Sequence, residues 1–363
     1  MIYHFPGSIP SSVETGSTIR PQMMLSAFRK IGYEVELVQG RYALRKRKIY
    51  QVREDINRGM HYDFAYSESA WLPTLLSEGN KIPHLSPIDY YFFRLCNAGR
   101  VKLGLFYRDI YWKFDRLRRD MDLNTIKSAY VELLYELDFT VYNNFLNILF
   151  LPSLEMKRYL PRVKVRTEAL PPGLSVDGRL VDRSQLPDKT LSIVYVGGLS
   201  RLSIIGKLLE VVSSNSFLRL VICTNKEHWE KEKNRYLQFV NSSIRVVHMS
   251  GDELIELYES AHVAALIYEL NVYKLFTASS KLFQYMQHQL PIVATEGTLD
   301  GEFVSQNNIG WTVPYDSYSL SALLFRLWKD PKEIQDKMNN ISRIRKNHTW
   351  ECRARKVERT LST

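Results

Sequence analysis

Short apolar runs alternate along the chain with longer stretches in which apolar residues recur every three to four positions. Runs of four to eight apolar residues between turn formers read as buried strands, and the longer period reads as helix. In the first half this predicts strands at 2–5 (IYHF), 34–39, 62–67, 101–107, 138–144, 147–153 and 166–171. Helices are predicted at 20–31, 43–59, 87–98, 124–137 and 154–160. The segment 171–189, PPGLSVDGRLVDRSQLPDK, carries three prolines, two glycines and three aspartates without periodicity, and it reads as a linker. Beyond it the alternation resumes, with strands at 191–198, 218–225, 244–251, 262–268 and 291–295. The intervening helices are expected at 204–213, 227–240 and 252–260, with another opening at Ser279 and a final one over about 331–361.

Strand and helix in alternation predict parallel sheets wrapped by helices. The fold class is therefore α/β: two Rossmann-like domains, 1–170 and 190–363, joined by the linker and facing each other across a cleft. Ligands of such sheets bind beyond the carboxyl ends of the strands, so chemistry is sought in the loops that follow each strand. No internal repeat or low-complexity tract is evident.

Composition narrows the class. Hydrophobic residues make up 45% of the 363 and charged residues 24%, the values of a folded globular chain. The longest apolar runs, such as FLNILFL from Phe145, fall short of the roughly 18–20 residues that span a bilayer. Met1 leads directly into a strand-like run, and no export signal is read there. Cys96, Cys223 and Cys352 lack the spacing of a disulfide framework or a zinc site, and a reducing cytoplasm is the expected compartment.

The charge is uneven. Residues 1–170 hold 25 Lys and Arg against 18 Asp and Glu, whereas 171–363 hold 24 against 21. The excess is interleaved with aromatics in RYALRKRKIY (41–50) and YRDIYWKFDRLRR (107–119), a pattern suited to an anionic membrane surface or a phosphate-bearing partner. A solvated helix face accounts for it equally well, and nucleic acid is not the expected partner.

Several strand-end loops carry candidate chemistry. Gly16, Ser17 and Thr18 come just before a helix whose second residue is Pro21, which leaves bare N–H groups that suit an anion. A plain helix cap on a surface loop explains the same residues. Asp109 follows the 101–107 strand, where a carboxylate can take a proton from an incoming hydroxyl or stabilise positive charge on a sugar ring. Its neighbour Arg108 equally allows a structural ion pair. Glu68 is a second strand-end carboxylate, or else the cap of the next helix. In YVGGLSR, Gly197 and Gly198 permit close backbone approach beside the fixed cation of Arg201, a pairing that can clamp a diphosphate or merely turn the chain.

SSKLFQYMQHQLPIVATEG (279–297) carries the strongest feature. Ser279 and Ser280 can cap a helix whose first turn contains Lys281, with Gln284 and Tyr285 one turn later. A lysine there opposes the helix dipole and calls for an anion, and Gln284 is placed to meet vicinal hydroxyls. The alternative is an exposed lysine on an amphipathic helix that buries Leu282, Phe283 and Met286.

YVGGLS, HMSGDELIELYESA, SSKLFQYMQHQLPIVATEG and NNIGWTVPYDSYSLSALLFRLWKDP together resemble the nucleotide-sugar-binding domain of GT-B glycosyltransferases. The likeness is closest to glycosyltransferase family 4 enzymes of bacterial polysaccharide biosynthesis. It is continuous over about 191–362 and fainter over 1–170, where GSTIRPQMMLSAFRKIGYEVELVQG and FYRDIYW are similar to the acceptor-side domain. The resemblance implies a GT-B architecture whose final helix returns to the first domain. It implies a donor diphosphate near Arg201 and Lys281, a ribose at Gln284 and a base beside Met249 and Ser250, and the loop glycines Gly16 and Gly198 are counted with these as donor-binding candidates. Asp109 is then the catalytic candidate, with Glu68 and Arg108 on the acceptor side.

Such enzymes are typically metal-independent and retain anomeric configuration, and the nucleoside-diphosphate sugar is a substrate rather than a cofactor. The expected acceptor is a glycan or a polyprenyl-diphosphate-linked sugar at the inner membrane face. The family's paired glutamates fall on Phe276 and Gln284 here: the ribose contact survives as an amide, but the sugar-contacting carboxylate is absent unless a residue such as Glu269 substitutes. That departure leaves two alternatives, a catalytically silent GT-B binding subunit and a nucleotide-sugar epimerase of the same fold.

Overall fold

The structure, a computed structural model, describes residues 1–9, 16–70, 72–77, 87–114, 125–176, 190–200 and 202–362. The chain divides into two compact units, one of Met1–Pro171 with Trp350–Thr363 and the other of Pro172–Thr349.

The first unit holds strands β1 (Ile2–His4), β2 (Glu36–Val38), β3 (Ala65–Glu68), β4 (Leu103–Phe106), β5 (Ile148–Leu151) and β6 (Thr167–Ala169) in a sheet of order β2-β1-β3-β4-β5-β6. Every pairing in that sheet is parallel, with Tyr3 level with both Leu37 and Tyr66. Strands β3, β4 and β5 are buried throughout, the consequence of helices on both faces. The helices are α1 (Gly16–Lys30), α2 (Tyr42–Asn57), α3 (Ile88–Ala98) and α4 (Thr125–Phe145). The run at 138–144, expected as a strand, is the last third of α4. Leu134, Tyr135, Asp138, Phe139 and Tyr142 are buried at helical spacing straight through it, so tertiary packing overrides the β-favouring content of the run.

A polar network lies inside this unit. Asp89 accepts from Arg45 Nε at 2.8 Å and Nη2 at 2.9 Å, and its Oδ1 lies 2.9 Å from His4 Nε2. His4 Nδ1 in turn meets Ser67 Oγ at 2.8 Å. The order Ser, His, Asp is that of a hydrolase triad, but all three side chains are wholly buried and stitch β1, β3 and α3 together. Desolvation lowers the His4 pKa despite the Asp89 carboxylate.

The second unit holds β7 (Leu191–Val196), β8 (Leu218–Cys223), β9 (Ile244–Val247), β10 (Val263–Leu266), β11 (Ile292–Thr295) and β12 (Gly310–Val313), in the order β12-β11-β10-β7-β8-β9 and again parallel. Around them run α5 (Gly206–Ser213), α6 (Lys226–Glu232), α7 (Glu253–Ser260), α8 (Ser280–Gln287), α9 (Leu299–Gln306), α10 (Ser317–Lys329) and α11 (Lys332–Ile344). The helix expected over 227–240 stops at Glu232 and continues as two short 3-10 turns. The single helix expected over 331–361 is two, α11 and α12 (Trp350–Ser362), and α12 packs on α1 within the first unit. The early part of the expected linker is packed rather than free. Leu174 N–H donates to His348 O at 3.0 Å and Ser175 N–H to Gln287 Oε1 at 3.0 Å, while 177–189 lie outside the described residues. Among the described residues no helix is long and apolar enough to cross a membrane.

Candidate functional site

A doubly wound sheet binds ligands where its strand order reverses. In the second unit the reversal falls between β7, which leads outward to β8 and β9, and β10, which returns to the other side of β7. The residues just past those two strands are Gly197 and Gly198 after β7, and Ile267 and Tyr268 after β10.

Helix α8 delivers Lys281 to this point. Ser279 starts the helix by accepting from Lys281 N–H at 3.2 Å, and Pro291 follows soon after its end. Leu282, Phe283, Tyr285 and Met286 are buried, and Tyr285 OH accepts the Val196 N–H at 2.9 Å, which pins the helix to the end of β7. Lys281 is half-buried, and its Nζ donates to the hydroxyls of Tyr195 at 3.1 Å and Tyr268 at 3.3 Å. The side chain runs over Gly197, whose φ is +146°, and a methyl group at that position would overlap Lys281 Cε and Nζ. Glycine at 197 is therefore required twice, by its dihedral and by the lysine above it.

Two further charges complete the cluster. Lys274 Nζ donates to Ser203 Oγ at 3.2 Å and sits 3.7 Å from the centre of the Tyr268 ring, so that ring faces one lysine while its hydroxyl meets the other. Asp300, in the first turn of α9, is buried and accepts the Ser279 N–H at 3.0 Å. Burial pulls the Lys281 amine down to about 8, with a smaller opposing pull from Asp300. Burial also pushes Asp300 up to about 6, opposed by the Ser279 N–H and by Lys274 and Lys281. A lysine held by phenol hydroxyls instead of a carboxylate is a cation under-compensated for its burial, and an anion arriving there meets a preformed donor.

The other sequence candidates of this unit are distributed as follows. Gln284 is half-buried on α8; its carbonyl accepts the His288 N–H at 3.3 Å, and its side chain has no hydrogen-bond partner among the described residues. Met249 is half-buried, its carbonyl accepting the Cys223 thiol at 3.4 Å, and Ser250 N–H donates to Glu253 Oε2 at 3.2 Å. Arg201 lies outside the described residues. Phe276 is fully buried against Tyr273, and Glu269 is exposed.

In the first unit, Gly16 opens α1. Asp109 follows β4, is half-buried and accepts the Ile110 N–H at 2.6 Å, and the Arg108 N–H donates to Ser69 Oγ at 3.0 Å. Both line a pocket with Tyr107, Trp112, Tyr135 and Asp138. Trp112 and Tyr135 stack at 4.8 Å, and burial pushes the Asp138 carboxyl up to about 6. Glu68 corrects the expectation of a strand-end ligand: it is the last residue of β3 and fully buried. Tyr3 and Tyr66 hydroxyls each stand 3.1 Å from its Oε1, and Arg20 Nε is 3.6 Å away. Arg20 lies 3.3 Å from the Phe106 ring centre and donates to Leu170 O at 3.1 Å, so the pair is part of the core.

Tyr195, Tyr268, Lys274 and Asp300 escaped the sequence reading. A tyrosine within the aliphatic run LSIVYVGG was the available signal for Tyr195, whereas Asp300 belongs to a helix that the apolar pattern did not disclose.

No protein-family model matches the sequence, and no curated protein matches it. Solved structures do. Sucrose-phosphate synthase from Thermosynechococcus elongatus superposes with a TM-score of 0.66 at 14% identity, covering 99% of this chain and 97% of that one. HepE from Anabaena, solved in complex with UDP-glucose, gives 0.65 at 13% identity and covers 99% of both chains. WaaG, a glycosyltransferase involved in lipopolysaccharide biosynthesis, gives 0.62 at 11% identity, covering 99% of this chain and 98% of that one. These neighbours span the whole chain, and with its two parallel six-stranded sheets the fold is that of the GT-B glycosyltransferases.

Proposed function

We propose that this chain is a glycosyltransferase that takes a nucleoside-diphosphate sugar and moves the sugar to a glycan or lipid-linked acceptor in polysaccharide biosynthesis. The observation that carries the reading is the Lys281 ammonium at the β7–β10 reversal, beside a glycine turn and under-compensated for its burial. A departing diphosphate develops negative charge, and a fixed cation in a partly dry site stabilises that charge without reorganising. The neighbour bound to UDP-glucose supports the donor class, and the one named for lipopolysaccharide biosynthesis lends support to the pathway class. Asp109 is assigned to the acceptor hydroxyl or the reacting sugar, Gln284 to the ribose, and the anomeric configuration is retained in the product. Contact with an anionic membrane is supported by the opening of α2, where Arg41, Tyr42, Leu44 and Arg47 are all exposed.

Titration with UDP, GDP and ADP tests the reading, because a ligand that binds only the native state raises its melting temperature. At least one diphosphate is expected to give a shift of several degrees. Lys281→Ala should weaken that nucleotide by roughly tenfold to a hundredfold, the worth of a charge-assisted hydrogen bond, with the fold intact. Asp109→Asn should slow sugar transfer while leaving diphosphate affinity unchanged. A competing reading has one observation in its favour: the buried phenyl of Phe276 occupies the position of the first family glutamate. A silent binding subunit would take up nucleotide yet release no diphosphate from UDP-glucose or any other donor in the presence of acceptor.

A further inference from the structure

We propose that the end of β8 supplies a second set of donors to the same diphosphate, the Thr224 hydroxyl and the His228 imidazole; the inference rests on the donor reading above. Thr224 is the first residue past β8 and only 4% exposed. Its backbone is satisfied, with the N–H donating to Val247 O at 3.1 Å and the carbonyl accepting the His248 Nδ1 proton at 2.7 Å. Its Oγ1 is buried without a hydrogen-bond partner. A buried hydroxyl left unpaired is costly and uncommon, and a ligand oxygen at that spot would relieve it.

His228 is the independent second observation. It is an exposed residue of α6, yet its ring lies against the glycine turn: a methyl group at Gly198 would stand 2.9 Å from Nδ1 and 3.2 Å from Cε1. Lys281 covers Gly197 and His228 covers Gly198, so consecutive glycines carry basic side chains delivered by different helices. The imidazole has no hydrogen-bond partner among the described residues, whereas the neighbouring Gly197 N–H is tied to Cys223 O at 2.8 Å. Thr224 follows Cys223 directly, which places its backbone beside the tie that holds the turn. An imidazole and an ammonium against one glycine turn, with a buried unpaired hydroxyl at the end of the adjacent strand, suit the several oxygens of a diphosphate better than the single charge of a carboxylate.

The test measures dissociation constants of UDP, GDP and ADP and of the matching monophosphates, by calorimetry on the full chain, for wild type, H228A, H228Q and T224V. Wild type is expected to bind one diphosphate at least about tenfold more tightly than its monophosphate, since the second phosphate adds charge-assisted bonds. H228A should lose about tenfold in diphosphate affinity and T224V about threefold, with monophosphate affinities held within about twofold. H228Q, which keeps an N–H donor, should recover part of the loss. A diphosphate preference unchanged in both H228A and T224V overturns this inference and leaves the donor reading standing. A wild type that binds none of the six nucleotides overturns both.

Discussion

The two sheets reverse strand order at comparable places, yet the reversals are filled in opposite ways. Between β1 and β3 of the first unit, Tyr3 and Tyr66 direct their hydroxyls at Glu68, and Arg20 closes the charge from α1. Between β7 and β10 of the second, Tyr195 and Tyr268 direct theirs at Lys281, and the carboxylate that acts on it, Asp300, is engaged by a backbone N–H. Each has a pair of tyrosines on one charged side chain. One charge meets its opposite in an ion pair, and the other feels only the smaller opposing pull of Asp300. A paired charge at a strand end reads as architecture, and under the proposed function the under-compensated one is where an anion is expected.

Mutation separates the two most sharply on the first unit. Glu68→Ala strands the buried Arg20 guanidinium, and about 3–5 kcal/mol of stability should disappear, since breaking a buried pair costs far more than replacing it. Chemical denaturation checks this, and diphosphate affinity measured well below the melting transition should stay put. If affinity fell with stability, the first reversal would be more than architecture. Gly197→Ala comes next. Strain at a positive φ together with displacement of Lys281 should remove about 1–3 kcal/mol of stability and most of the nucleotide-induced melting shift.

The smallest effect is one of pH. The free Lys281 amine titrates near 8, and a bound diphosphate must raise that value. Binding therefore takes up a proton once the pH exceeds about 8, and diphosphate affinity should fall on the alkaline side by up to about tenfold per pH unit. The same group affects folding with the sign of a depressed lysine. Its burial costs stability while the amine must be charged, and the cost is relieved as pH rises through the folded value. Lys281→Met should flatten the affinity profile above pH 8, and a slope surviving in that variant would move the titration to another group.

Much of this was legible in the chain and some of it was not, for physical reasons. Buried parallel strands are nearly continuous apolar runs, so 191–198 and 291–295 disclosed β7 and β11. The stretch 138–144 did not, because β-branched and aromatic residues also line the core side of α4, and the helix start that would have corrected the reading lies many residues upstream. At the site, Ser279 and Lys281 marked the helix start from local chemistry alone. That the amine turns towards two phenols was hidden, since Tyr195 comes from 86 positions earlier. Glu68 was misjudged for the same reason. Its partner Arg20 is far away in sequence, and nothing local announces a buried pair.

Helix α12 carries a consequence for how the protein is made. It covers α1 through Trp350, Ala354, Val357 and Leu361, and Leu361 reaches Gly104 of the central strand β4. During synthesis the amino-terminal half leaves the ribosome with that flank bare and stays so through almost two hundred further residues. The half translated first is sealed last, and its greasy flank is the surface that chaperones would guard in the meantime.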